Sequence, residues 1–204
     1  MEPSTRRALR TPRAAGVVGI LFAVLLAVAI VLMRIALPEG DAGGDAVVDP
    51  GRRRAVRVAL EIVPFAGILF LWFMGALRAH VGEAEDKFIA TVFLGSGVIF
   101  VASLFGAAAA AGGLLAEEDP SGFGRHFAYT FLTTYAMRMA AVFVFATSTI
   151  GHRLGALPRW LAFLGYAAGV ILLFVGPAVP WSELIFPFWS LVVSLHLLRA
   201  NFRA

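Results

Sequence analysis

The sequence predicts an all-α integral membrane protein: a bundle of six transmembrane helices with both termini cytoplasmic. Three observations carry this. The 204-residue chain is 60% hydrophobic and only 15% charged, whereas soluble domains are roughly 45–50% apolar and about 25% charged. Its mean hydropathy is +0.85. The apolar residues also fall in blocks of roughly 20, the length a helix needs to cross about 30 Å of hydrocarbon, without the polar positions by which a soluble core interrupts such runs.

The chain opens with a basic tail, 1–16, carrying Arg6, Arg7, Arg10 and Arg13. Span 1 follows at 17–37. A basic segment before an apolar run also describes a signal peptide, and STRRALR resembles a twin-arginine leader. The run is long, however, and further spans follow, so span 1 is expected to be retained. A loop at 38–57 is rich in Gly and Asp and then in arginine (Arg52, Arg53, Arg54, Arg57). It reads as a self-neutralising extracytoplasmic loop or as a short interfacial helix leading into span 2. Its spaced acids lack the glycine and terminal glutamate of a calcium loop, so no metal is expected there.

Span 2 is predicted at 58–79, where Pro64 is placed to bend the helix. Span 3, at 88–116, is long enough to tilt. It contains Gly95 and Gly97, then two tracks of small residues, one through Ala102, Gly106 and Ala110 and the other through Ser103, Ala107 and Ala111. Small residues let helix backbones approach closely in lipid, so span 3 is expected to be the central helix. The acids at 83–86 before it suit the positive end of a helix. Those at 117–119 are expected beyond its end. Span 4 is predicted at 127–149, span 5 at 160–176 and span 6 at 183–198, followed by a short tail at 199–204. Pro177 and Pro180 mark a tight hairpin between the last two. If that pair fails to cross twice, the count drops to five. Trp160 and Trp181 sit at span ends, as interface anchors do.

Orientation follows from basic residues. With the N-terminus inside, cytoplasmic segments hold Arg6, Arg7, Arg10, Arg13, Arg78, Lys87, Arg153, Arg159, Arg199 and Arg203, and the outside holds half as many, Arg52, Arg53, Arg54, Arg57 and Arg125. Lys87 is the sole lysine. This bias is that of a GC-rich genome and points to a bacterial cell membrane. The net charge of +4 is accounted for by topology, so no nucleic-acid partner is expected.

The chemistry-bearing residues are few. There is no cysteine, which removes thiolate ligands and nucleophiles. His80, His126, His152 and His196 offer no paired ligand spacing, and no cofactor is expected. Arg138, near the middle of span 4, is costly in lipid and calls for an interior partner or a polar cavity. His126, Thr130, Thr134 and Arg138 recur every fourth residue, with Tyr135 beside them, and read as a polar stripe descending from the outer surface into a groove. Threonine back-bonding to the helix is the simpler account of Thr130 and Thr134. Arg34, Glu61 and Glu183 lie toward the same outer end. A Glu61–Arg138 ion pair is the first expectation, with Arg34–Glu61 its rival.

Such a groove suits a small anion or a lipid headgroup, because guanidinium forks match carboxylate and phosphate. The readings are therefore a structural or accessory membrane protein with a buried ion pair, a transporter or binding protein, or a lipid-modifying enzyme. The absence of nucleotide, protease or metalloprotease motifs counts against catalysis. The expected partners are the bilayer and either a second copy or a larger membrane protein.

Overall fold

The computed structural model describes residues 11–36, 50–81, 87–116, 122–175 and 179–202. These residues are helical apart from short turns, with no strand among them. Helix α1 is Thr11–Ala36, α2 is Pro50–Val81 and α3 is Lys87–Ala116. Helix α4 comprises Gly122–Thr130, a π-helical stretch Phe131–Ala136, and Met137–Arg153. Helix α5 is Arg159–Val170 extended by a π-helical Ile171–Val175. Helix α6 opens with a 3₁₀ turn, Ser182–Leu184, and continues as Ile185–Phe202. Five of the six are long and apolar enough to cross a membrane; α5, at Arg159–Val175, is shorter. The predicted all-α membrane bundle is the fold observed.

Consecutive helices pack antiparallel, and α6 returns to lie against α1, closing the ring. At the α1–α6 seam the backbones come close. A Cβ on Gly16 would lie 3.0 Å from the Cβ of Leu198, and one on Gly19 would strike Ser194 Oγ and the Phe73 ring. The α4–α5 turn depends on Gly155, whose φ of +69° suits a residue without Cβ. The chain enters α6 through Trp181, also left-handed at φ 68°. Leu184 N–H then donates to Trp181 O at 3.0 Å to set the 3₁₀ turn.

The axis of the ring is filled by aromatic side chains rather than by a helix. Phe70 has its ring centroid 4.9 Å from both Phe100 and Phe143, and 5.0 Å from Phe22. Phe186 reaches Phe100 at 5.0 Å and stacks on Trp189. All of these side chains are fully buried. Tilted and edge-to-face pairs suit the ring quadrupoles. In lipid, where burial adds no hydrophobic drive between helices, such close packing supplies much of the cohesion.

Two expectations change here. Span 3 is not central: 39% of its most apolar window is buried, against 56% for α4. The cause is the two-sidedness of its small-residue tracks. Ser103, Ala107 and Ala111 pack inward, while Ala102 is exposed and Gly106 and Ala110 are half-buried. Gly97 faces Met74, whereas Gly95 meets open space. The second change concerns 38–57, expected to be a loop or a short interfacial helix leading into span 2. Helix α2 begins at Pro50, so the arginine cluster forms its first turns. Proline suits a first helical position, where its missing N–H costs nothing. Arg53 Nη2 donates to Leu115 O at 2.7 Å and so satisfies one of the carbonyls left open at the end of α3. The acids at 83–86 and 117–119, and Pro177 of the last hairpin, lie outside the described residues.

Candidate functional site

The π-helical stretch in α4 decides where the polar stripe points. Ala128, Leu132, Ala136, Ala140, Val144 and Ser148 are all buried, at intervals of four. In an α-helix a four-residue step drifts forward by about 40°. The wider turn of a π-helix drifts backward, so the Phe131–Ala136 stretch holds this ladder on one side. The ladder of His126, Thr130, Thr134 and Arg138 is offset from it by two residues, half a turn away. Accordingly His126 and Arg138 are exposed, Thr130 and Thr134 half-buried, and Tyr135 is 53% exposed. The stripe exists, but it runs down the outer wall of the bundle instead of lining an interior groove. The buried threonine is its neighbour Thr133, whose Oγ1 donates to Tyr129 O at 3.0 Å.

Glu61 is likewise on an outer wall. It is two residues from both Ala59 and Val63, which are buried, and so points away from the core. Among the described residues neither Glu61 nor Arg138 makes an ion pair, and the expected Glu61–Arg138 and Arg34–Glu61 bridges are not formed. Helix α3 stands between the helices that carry Glu61 and Arg138.

The ion pair that does form joins α1 to α6. Arg34 lies four residues beyond buried Ile30 and two before the end of α1, beside the inward stripe. Its Nη2 donates to Glu183 Oε1 at 2.7 Å, with the two side chains 9% and 1% exposed. Glu183 sits in the first turn of α6, where the positive end of the helix also favours a carboxylate. The guanidinium carbon is 5.4 Å from the centroid of the Tyr129 ring on α4, within cation–π range. One arginine thus ties three helices together at the end of the bundle where α1 finishes. The other carboxylate oxygen, Glu183 Oε2, is buried and has no hydrogen-bond partner among the described residues.

Tyr129 was not singled out in the sequence, where it read as one more aromatic in an apolar run; its place three residues after His126 gives no sign that it faces the opposite wall. Next to the clamp, α1, α2, α3 and α4 line a small, partly open apolar pocket of about 10 Å³, with Met33, Val63, Leu104 and Leu132 among its walls. That is about the room one water occupies.

A second polar group lies between α4, α5 and α6. Ser148 Oγ and Trp189 Nε1 converge on Gly165: a Cβ there would clash with the hydroxyl and lie 2.9 Å from the indole nitrogen. Nearby on the same helices, Thr149 Oγ1 and Tyr166 OH are 3.2 Å apart. Among the described residues no group of acids and histidines is arranged to hold a metal ion.

Fold and site together define a multi-spanning, all-α membrane protein with an aromatic-filled interior and, among the described residues, one buried ion pair. Comparison with known protein families, curated proteins and solved structures gives no match.

Proposed function

We propose that this chain is a structural or accessory membrane component. Its helices are held in one arrangement by the Arg34–Glu183 clamp, and its surface carries its interactions. The observation behind this reading is the aromatic plug. Phe22, Phe70, Phe100, Phe143 and Phe186 fill the axis along which a substrate path through the bundle would run. The clamp supports the same reading, since its charged groups are turned toward each other. Buried ion pairs in membranes otherwise mark ion or substrate routes, so transport is the reading to test against.

The test is reconstitution into liposomes containing a pH reporter and an anion reporter. Vesicles with wild-type protein and with Glu183→Gln are expected to leak no faster than protein-free vesicles under imposed proton or anion gradients. Gradient-driven flux in the wild type, lost in a folded Glu183→Gln variant, overturns the structural reading in favour of transport. Turnover of added phospholipid, followed by mass spectrometry, overturns it in favour of catalysis.

A further inference from the structure

The outer wall formed by α2, α3 and α4 has features that a lipid-facing surface does not explain. Along α3, Gly95, Ile99, Ala102, Gly106, Ala109 and Gly113 recur at alternating steps of four and three. All are exposed except half-buried Gly106. That spacing is the seam of two helices packed side by side, and five of its six residues are small enough for close backbone approach. A Cβ on Gly95 or Gly113 would meet nothing within 4 Å, so the small residues at these positions answer no contact inside the bundle. On the flanking helices, exposed Glu61 and exposed Arg138 point outward, and isolated charges facing lipid carry a cost of several kcal/mol each.

We propose that this wall binds a second copy of the same chain, with α3 against α3 and Glu61 of each copy facing Arg138 of the other. Charge complementarity and symmetry identify the occupant. Two copies in one bilayer share an orientation, so a two-fold axis between them runs along the membrane normal. An axis beside α3 then sets α2 opposite the partner's α4 twice over. It brings opposite charges together only if they lie at matching depths, because the rotation changes no depth. They come within reach. Phe70 on α2 meets Phe143 on α4 with ring centroids 4.9 Å apart, which sets Arg138 about four residues deeper than Glu61, or about 6 Å along the axis. An arginine side chain spans that difference. Among the described residues the α1 and α6 walls show no such outward pair, and the Arg34–Glu183 ion pair is turned inward.

The chain has no cysteine, so single cysteines report cleanly. Ala102→Cys, on the seam, is expected to form a disulfide dimer on oxidation of membranes containing the full chain. Val24→Cys, 49% exposed on α1, is expected to stay monomeric. In the Ala102→Cys background, Glu61→Arg or Arg138→Glu alone places like charges together and is expected to weaken dimerisation by about tenfold or more. The two together restore it. Both positions are exposed, and retained helicity and a single chromatographic peak confirm folding. Single-molecule photobleaching of wild-type protein diluted in bilayers gives a second measurement that needs no variant. A monomer at all dilutions, cross-linking through Val24→Cys in preference to Ala102→Cys, or a charge swap that fails to restore what the single reversals lose each overturns the proposal. So does stable association only with a different membrane protein. This proposal is independent of whether the bundle transports anything.

Discussion

Cutting the Arg34–Glu183 clamp from each side is expected to give unequal losses. Removing one partner of a buried pair costs about 3–5 kcal/mol, because the other charge is left stranded. Here the two remnants differ. After Arg34→Met, Glu183 is left 1% exposed on a short side chain at the start of α6, with Oε2 already lacking a hydrogen bond. It is too short to extend to the interface as an arginine can, and the full cost of about 3–5 kcal/mol applies. After Glu183→Gln, Arg34 retains the Tyr129 ring and an amide oxygen able to accept from Nη2. It is also two residues from the end of α1, close enough for its long side chain to extend toward the interface. The loss is then about 1–3 kcal/mol. Arg34→Met with Glu183→Gln leaves no charge behind and should cost well under the sum of the two single losses. The assay is equilibrium unfolding of the purified protein in mixed micelles, read by circular dichroism across a denaturing-detergent titration. A double variant whose loss equals the sum of the singles to within about 0.5 kcal/mol refutes the coupling. A larger loss for Glu183→Gln than for Arg34→Met refutes the account of the two remnants.

Two further outcomes follow from the packing. Phe70→Ala opens the aromatic core where five helices meet and is expected to cost about 3–5 kcal/mol in the same titration, while Phe70→Leu costs about 1–2. Gly165→Ala drives a methyl group into Ser148 Oγ and against Trp189 Nε1, and is expected to cost about 1–3 kcal/mol; adding Ser148→Gly recovers part of that loss, and tryptophan fluorescence should report the displaced indole.

The helices themselves were legible because length and hydropathy are enough to mark a membrane span. Which wall of each helix faces inward was not. In water, an amphipathic stripe betrays the buried side. In lipid both sides are apolar, as in α3, where Val98 and Ile99 face out and Phe100 and Val101 face in. The sequence therefore marks Arg34, Glu61, Arg138 and Glu183 as the charges of interest but leaves their pairing open. The reach of an arginine side chain allows Glu61 with Arg138, and the ring order separates them by α3. The π-helical stretch of α4 is equally hidden, since FLTTYA has no proline or glycine to announce a change of pitch. The four-residue polar ladder was real; its direction depended on the pitch.

That separation of charges divides the molecule into two roles. Arg34 and Glu183 are near the helix ends, face inward, and meet within the monomer. Arg138 is near mid-depth and Glu61 about one turn nearer the outer end; both face outward and have no partner among the described residues. If the outward pair were merely tolerated, replacing both residues with leucine would stabilise the monomer and leave association unchanged, because lipid is the better environment for leucine. If they specify the second copy, Glu61→Leu with Arg138→Leu should yield a more stable monomer that dimerises through the α3 seam with less orientational selectivity. Cross-links at Gly95→Cys and Gly113→Cys would then spread to neighbouring outward positions such as Val98→Cys. Unchanged cross-linking selectivity in the leucine variant would show that the small residues of α3 alone set the register.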